Sequence, residues 1–259
     1  GVNVVLPTNE EMLSEITVRG IQRQTGTMER TDVSVARLMP DATGGGIESL
    51  LITFAGVSQN NEMSSQYNVR GGSYDENSVY VNGLEVHRPL LIRSGQQEGL
   101  SFINPDMVDE VNFSAGGFDA KYGDKMASVL DVTYKKPPKF EANLAASLQG
   151  VSAYVGASGK NFTQMHGVRF KTMKVLLVTL ETKGEYSPYF VDYQTYMTWQ
   201  MSKKWELTFL GNISQNYYNF TPKTRSTSFG TISNANNFTV YFDGKERDIF
   251  RTYFGALGF

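Results

Sequence analysis

The chain has 259 residues, a formal net charge of -2, and 40% hydrophobic and 19% charged residues. This charge balance argues against nucleic-acid binding, which needs clustered Lys and Arg to neutralise phosphates. The absence of cysteine excludes disulfide scaffolds, thiolate metal sites and cysteine nucleophiles.

Residues 44–137 contain one predicted helix and several short β-type runs. The apolar spacing from Ile47 to Phe54 predicts a short helix, which Gly56 is placed to end. Asn82-Gly83 is a strong turn signal between two of the β-type runs. The β-type and loop segments of this half cover residues 66–72, 77–86, 103–113, 118–123 and 126–137.

The composition changes at Pro137-Pro138. Two successive prolines interrupt any strand or helix, so a boundary is natural here. Most of the 16 Phe, 14 Tyr and 2 Trp residues lie after this point. The second half therefore differs in composition from the first.

The second half alternates apolar and polar residues, which predicts strands with one face in an apolar phase. The runs cover residues 140–149, 193–201 and 205–213. A further pair is predicted from Phe238 to about Phe254, with its turn at Asp243-Gly244. Two environments produce such a pattern: a soluble antiparallel sheet packed on one face, or a membrane barrel.

Three features favour the barrel. The runs are near the roughly 10 residues of a membrane strand, and a polar stretch at 221–237 is typical of a long barrel loop. Aromatic residues gather near strand ends, as an interfacial girdle requires: Tyr186, Tyr189, Phe190, Tyr217, Tyr218 and Phe220. A helical membrane protein is excluded, because the aliphatic run Val175 to Leu180 is far shorter than the roughly 20 residues a spanning helix needs.

A barrel would also have to be incomplete. Only about six to eight strands fit in the second half, and an open sheet in lipid leaves backbone groups unpaired. The chain also opens on Gly1 without a signal peptide. We therefore expect a fragment of a longer protein.

Six ordered motifs carry a family resemblance: Ala55-Gly56-Val57, Val69-Arg70-Gly71, Val79-Tyr80-Val81-Asn82-Gly83, Met107-Val108-Asp109-Glu110-Val111, Ala120-Lys121-Tyr122-Gly123 and Ser128 to Pro137. This succession resembles the plug domain of TonB-dependent outer-membrane receptors, in the form found in Bacteroidetes-type bacteria. The resemblance implies an α+β plug domain at 44–137. An all-β antiparallel transmembrane barrel segment would follow at 138–259, a fragment of an approximately 22-stranded barrel.

The resemblance also assigns the amino end. Residues 1–10 would be the end of a preceding small β domain or a leader, and residues 11–43 the TonB-box region and linker. Glu15, Ile16, Thr17 and Val18 resemble the TonB box, which pairs edge-on with a strand of TonB. An ordinary strand or a disordered leader is the alternative for these four residues.

Within the plug, the motif residues are Arg70, Gly71, Asn82, Gly83, Tyr122 and Gly123. Arg70 is a candidate for fastening the plug to the barrel, because a desolvated Arg needs carboxylate partners. The resemblance places Arg88 and Arg93 in a loop at the plug apex, facing the incoming ligand.

The implied function is TonB-dependent active import of a ligand across the bacterial outer membrane, with the plug gating the barrel and accessible from the periplasm. The implied partners are TonB with its inner-membrane energising complex, outer-membrane lipid and a ligand of unknown class. Whether a surface lipoprotein forms a lid stays open, and no nucleic-acid partner is expected.

We expect no enzyme activity, no cofactor and no metal. His87 and His166 are isolated from each other, and Asp106, Asp109 and Glu110 lack the spacing of a calcium loop. The rival interpretation is a soluble β-rich periplasmic or surface interaction domain, structural or adhesive. The two interpretations differ in the outward face of the second-half strands, which is apolar in a barrel and polar in a sandwich.

Overall fold

The computed structural model describes residues 28–31, 33, 46–59, 65–89, 100–174, 184–222, 224–231, 234–241 and 244–259. The segment 1–10, the TonB-box candidate Glu15–Val18 and Arg93 lie outside the described residues. Within the described ranges, no helix has the length and hydropathy needed to cross a membrane.

The N-terminal half forms a five-stranded mixed sheet, the inner sheet, in the order β1-β6-β7-β4-β5. β4 and β7 run parallel, and the other neighbours are antiparallel. The elements are β1 (Glu29–Thr31), α1 (Ile47–Leu51), β2 (Val57–Ser58), β3 (Asn68–Val69), β4 (Asn77–Val81), β5 (Leu84–Glu85), β6 (Val108–Ser114) and β7 (Ser128–Tyr134). β2 and β3 form a separate antiparallel pair.

The helix α1 buries its apolar stripe in the core of this half. Ile47, Leu50 and Leu51 are buried together with Val81 and Val132 of the inner sheet. The helix is shorter than predicted, because the amides of Thr53 and Phe54 bond three residues back and tighten the chain into turns. Gly56 then reverses the chain at φ +83°.

The Asn82-Gly83 turn is confirmed. Both residues have positive φ, 50° and 76°, and they join β4 to β5 as a two-residue hairpin. The side-chain oxygen of Asn82 accepts a 2.9 Å hydrogen bond from the amide of Tyr134. The turn is therefore fastened to the end of β7.

The second half forms an antiparallel sheet, the wall sheet, in which successive long strands are neighbours. Its strands are β8 (Phe140–Ser147), β9 (Gly150–Ser158), β10 (Phe162–Thr172), β11 (Gly184–Tyr186), β12 (Tyr189–Gln200), β13 (Glu206–Pro222) and β16 (Glu246–Gly258). β11 and β12 pair with successive parts of β13 and are separated by Ser187-Pro188. The described strands form an open sheet.

The region between β13 and β16 differs from the prediction. The run from Phe238 to Phe254 does not form a hairpin of its own: β15 (Asn234–Val240) pairs with β14 (Arg225–Thr231), and β16 pairs with β13. Gly244, with φ 95°, therefore lies between β15 and β16 and not at the turn of a hairpin between them. β15 and β16 pair instead with the strands that precede them, β14 and β13, because these pairings form longer ladders.

The two faces of the wall sheet differ in composition. On the inward face, which contacts the inner sheet, Met165, Gln194 and Asn212 are each at most 1% exposed. On the outward face, Leu144 and Ile213 are 75% and 53% exposed. The fold is the expected α+β unit followed by antiparallel strands, and this prediction is confirmed.

Candidate functional site

A buried ion pair on the wall sheet holds a loop of the N-terminal half. Arg169 of β10 and Asp192 of β12 are direct cross-strand partners on the inward face. Nε of Arg169 donates to Oδ1 of Asp192 over 2.8 Å, and Nη2 donates to Oδ2 over 2.6 Å. Asn212 of β13 donates a third bond to the same carboxylate over 3.2 Å. The geometry is bidentate, and both charges are removed from water.

The same guanidinium binds the backbone of residues 101–104, which we call the anchored segment. Nη1 of Arg169 donates to the carbonyl of Ile103, and Nη2 donates to that of Ser101, both over 2.8 Å. Gln194 of β12 donates to the carbonyl between them, that of Phe102, over 3.1 Å. Three successive carbonyls are thus held by two wall side chains.

Tyr134 connects the inner sheet to this network. Its hydroxyl donates to Oε1 of Gln194 over 2.9 Å and accepts from the amide of Asn104 over 3.5 Å. Its ring packs edge-on against Tyr196 of β12 at 6.0 Å between centroids. Burial raises the pKa of the Tyr134 hydroxyl well above its usual range, so the hydroxyl stays protonated and donates.

Shape complementarity adds to these polar contacts. A Cβ atom built on Gly167 of β10 would lie 2.3 Å from Nδ2 of Asn104 and 3.3 Å from Sδ of Met107. Asn104 also caps the single 3-10 turn Pro105–Met107 by accepting from the amide of Asp106 over 3.1 Å. The turn packs onto the wall because residue 167 has no side chain.

A second polar contact lies beside this turn. Asp106 accepts from Asn143 of β8 over 2.9 Å and from Ser152 of β9 over 3.0 Å. Asp106 thereby joins the inner sheet unit to the wall, and Glu110 pairs with Arg30 at 2.8 Å.

The anchored segment also reaches α1. Ser101 donates its hydroxyl hydrogen to Oε1 of Glu48, which is 3% exposed. Burial, with Glu48 nearby, raises the pKa of Tyr67 well above its usual range. The chain of contacts therefore runs from Asp192 through Arg169 and Ser101 to Glu48.

A cleft opens on the wall beside Arg169. It is lined by Leu100, residues 145–147 and 149–152, and residues 169–171. Arg169 and Lys171 are the cationic residues among its lining. In the described ranges, no group of three or more His, Asp or Glu residues is arranged to hold a metal ion.

The role of Arg70 in fastening the plug to the barrel stays a prediction. Arg70 is exposed in a turn at φ 50°, and its side chain lies against Gly56 and Gly116. Among the described residues, no carboxylate lies within ion-pair distance of it. Within the part of the chain that the structure describes, Arg169 of the wall is an arginine that joins the two parts of the molecule.

The other predicted motif residues shape the inner sheet. Gly71 follows Arg70 with φ 84° and completes its turn. Tyr122 donates to Asp131 of β7 and packs against Tyr80 at 5.0 Å, and Gly123 follows it in an open position. Arg88 is exposed.

Sequence reasoning missed Arg169, Asp192 and Gln194. The available signal was opposite charge at inward positions of two alternating strands. This signal can be recognised only if the register of the two strands is known, because the pairing of β10 with β12 brings residue 169 opposite residue 192. A shift of one residue would have placed the charges on opposite faces.

Comparison with known proteins agrees with this architecture. Residues 24–129 match the family described as the TonB-dependent Receptor Plug Domain. No curated protein sequence matches the chain.

Among solved structures, the chain is similar to a mutant of the ferric enterobactin receptor PfeA from Pseudomonas aeruginosa, at 15% identity and a TM-score of 0.53. The match covers 75% of this chain and 33% of that one. The siderophore receptor PirA from the same organism is similar at 13% identity and a TM-score of 0.51, over 89% of this chain and 43% of that one. The chain thus spans less than half the length of either structure, and at these identities the likeness concerns the fold.

Proposed function

We propose that the protein is a TonB-dependent receptor that actively imports a ligand across the bacterial outer membrane. The plug at 44–137 would close a barrel to which the wall strands at 138–259 belong. The plug match at residues 24–129 supports the first part. The details of the plug motifs lead us to propose a receptor of the Bacteroidetes type. No enzyme activity is part of this proposal.

The proposal depends on one observation: in the wall sheet the polar face is buried and the apolar face is exposed, the reverse of a soluble sheet. Polar and charged side chains, such as Asp192 and Gln194, are buried on the face that contacts the plug. The opposite face exposes large apolar side chains, including Tyr253 and Leu257 at 71% and 70%. A soluble interaction domain would expose polar residues there, so this face favours lipid.

The aromatic residues give that face two rims. At one end Trp199 and Trp205 are half exposed, and Trp205 contacts Phe259 at 4.8 Å. At the other end Tyr189 stacks on Tyr217 at 4.7 Å. The ten residue steps from 207 to 217 span roughly 33 Å along the strand, or about 25 Å along a barrel axis at a tilt near 40°. This matches the height of the apolar band of an outer-membrane barrel.

The contacts of Arg169 support a gating role for the plug. They hold the anchored segment against the wall, so the lumen stays closed at this point. Opening requires either that these bonds break or that other parts of the plug move around them. We propose that TonB supplies the work by pairing with Glu15–Val18 and pulling on the plug.

Imported ligand would approach from the side of the long connections. The connection from β10 to β12 and the hairpin β14–β15 lie at the same end of the wall sheet, which we assign to the cell exterior. The cleft beside Arg169 and Lys171 lies near this end. Because the similar structures are named as siderophore receptors, ferric siderophores are the first ligands to test.

The first experiment is fractionation of the natural-length protein, followed by gel mobility with and without boiling. The expected result is an outer-membrane protein whose mobility shifts on heating. A soluble product without a shift would reject the receptor and leave the interaction domain.

A second experiment tests import in cells that depend on the receptor for siderophore iron. Ile16→Pro should lower uptake to the level of a strain lacking TonB, because proline removes a backbone donor from the pairing strand. The heat-dependent shift should be retained. Normal uptake by this variant would contradict the assignment of Glu15–Val18.

A further inference from the structure

The outward face of the wall sheet carries a polar cluster on β10 and β12. Met165 and Arg169 of β10 lie on the inward face, so the side chain of His166 lies on the outward face. Its Nδ1 atom is 2.8 Å from the hydroxyl of Tyr193 and 3.1 Å from that of Thr195, both on β12. The imidazole also stacks on the ring of Tyr193, with 6.1 Å between centroids. Hydrogen-bonding groups therefore interrupt the apolar outward face.

His166 lies near the middle of the band between the two aromatic rims. On β10, the position opposite Trp199 is Phe162, and the position opposite Tyr189 is Thr172. His166 is therefore four residue steps from one rim level and six from the other. At about 3.3 Å per step and a tilt near 40°, these distances are roughly 10 and 15 Å along the barrel axis. Lipid at this depth consists of acyl chains, which neither donate nor accept hydrogen bonds.

One ring nitrogen of His166 has no hydrogen-bond partner in the described part of the chain. The hydroxyl of Thr195 donates to the carbonyl of Met165 over 3.2 Å, so its oxygen is free to accept from Nδ1–H of His166. In that tautomer Nε2 is an acceptor. In the other tautomer the hydroxyl of Tyr193 donates to Nδ1, and Nε2–H is a donor. In both cases Nε2 presents a polar group that lipid leaves unsatisfied.

The residues in register with His166 are small, so the face is low at this level. This central row consists of Ala142 of β8, Val155 of β9, His166, Thr195 and Gly211 of β13. The rows two residues to either side include larger side chains: Phe140, Leu144, Gln164, Met197, Tyr193 and Ile213. Small residues let neighbouring membrane segments approach closely, and polar side chains between them form interchain hydrogen bonds.

The wall strands around His166 are all described. β10 lies between β9 and β12, and these lie beside β8 and β13. At the outward positions of these five strands between the rims, His166 is the only residue of the types Asp, Glu, Lys, Arg and His. An ionisable residue at membrane depth rarely faces lipid and marks a contact with a polar partner. The partner of Nε2 must therefore approach from outside this sheet.

We propose that the outward face of β9, β10 and β12 is the contact between two copies of this receptor, which lie side by side about a two-fold axis near His166. This inference rests on the proposed function, because that function places the face in the outer membrane. An axis along the membrane normal keeps each residue at the depth of its counterpart, so the two His166 rings meet. One imidazole donates Nε2–H and the other accepts at Nε2. The surface is thus complementary to itself, as an isologous interface requires.

The first test cross-links the natural-length protein in isolated outer membranes. The 259 residues contain no cysteine, so in a background without other cysteines a single introduced thiol reports on one position. Val168→Cys places the thiol two residues from His166 on the outward face, where Val168 is 46% exposed. Leu257→Cys is the matched control, because it is 70% exposed on the same face but lies on β16. With a short thiol-specific cross-linker, Val168→Cys should give a product of twice the monomer mass, and Leu257→Cys should not.

The second test measures self-association in mild detergent by sedimentation. His166→Leu removes both ring nitrogens and should weaken self-association by about tenfold. His166→Gln keeps one donor and one acceptor and should retain most of it. Tyr253→Phe, which removes a hydroxyl from the outward face of β16, should equal the wild type. All three variants should keep the heat-dependent mobility shift, because none changes a contact with the plug.

Several results would overturn the second copy as the partner. Equal self-association of the wild type and His166→Leu is one, and equal cross-linking at residues 168 and 257 is another. A product of Val168→Cys with a different mass would identify another protein on this face. The cross-link does not depend on the folding of His166→Leu, since it is measured with His166 in place.

Failure of the proposed function gives a different result. A wild-type protein outside the outer membrane, without a heat-dependent mobility shift, would overturn both proposals. A wild type that shifts on heating and is monomeric in the outer membrane would overturn only the contact between copies.

Discussion

Nη2 of Arg169 lies 2.6 Å from Oδ2 of Asp192 on the neighbouring strand and also donates to the carbonyl of Ser101. One nitrogen therefore serves the wall and the plug together. The ion pair compensates the charge within the wall, and its spare donors hold the anchored segment. Loss of either charge would therefore affect both the ion pair within the wall and the attachment of the anchored segment.

Arg169→Met should weaken the attachment of the plug to the wall. It leaves the buried carboxylate of Asp192 without its counter-ion, a change that costs about 3–5 kcal/mol. We expect a lower thermal midpoint in detergent and, if the protein closes a barrel as proposed, increased sensitivity of cells to large antibiotics. Arg251→Met, on the outward face, is the control for loss of an arginine. The pair Arg169→Met/Asp192→Leu should recover part of the stability, and a single variant as stable as the wild type would contradict the network.

Gly167→Leu should separate the plug from the wall at Asn104. The first atom of the new side chain already overlaps Nδ2 of Asn104, which is held as the cap of a turn. Overpacking of this kind typically costs about 1–3 kcal/mol. Gly159→Leu is the matched control, because a Cβ atom there meets only the carbonyl of Phe162 at 3.6 Å. Thermal unfolding followed by mobility on unheated gels measures the difference, and equal midpoints for the two variants would refute the close contact.

Ile213→Arg tests whether the outward face meets lipid. Ile213 lies between the two aromatic rims and is 53% exposed. In a bilayer the substitution should cost about 2–4 kcal/mol, whereas at a solvated surface it should change stability by at most about 0.5 kcal/mol. The yield of heat-modifiable protein in outer membranes is the readout. Tyr241→Arg, which is 79% exposed beyond the rim, is the control. Normal assembly of Ile213→Arg would favour the soluble interaction domain.

Buried tyrosines should make the plug sensitive to alkaline pH. Burial raises the pKa of Tyr67 and Tyr134 above the ordinary value of about 10. The unfolded chain loses these protons first, so the contribution to stability is complete below about pH 10 and declines as the pH rises further. Thermal midpoints measured from pH 9 to pH 11 should fall. Tyr67→Phe should make the fall shallower, and the exposed Tyr241→Phe should not change it. An unchanged slope in Tyr67→Phe would exclude this tyrosine as a cause.

Local sequence was informative wherever a single turn or an alternating run decides the structure. Asn82-Gly83 favours positive φ at both positions, and the hairpin formed there. The runs at 193–201 and 205–213 lie largely within β12 and β13. β9 was not predicted, because Gly150, Gly156 and Ala157 weaken its alternation.

The sequence by itself determined the α+β first half, the alternating strands and the order of the plug motifs. These depend on spacing along the chain and on intrinsic turn preferences. Only the tertiary structure showed that Arg169 holds the anchored segment of the plug. The reason is register: the residue that lies opposite a charged side chain depends on how the neighbouring strand is aligned. That pairing places Asp192 opposite Arg169 and brings three carbonyls of the anchored segment within reach of two wall side chains.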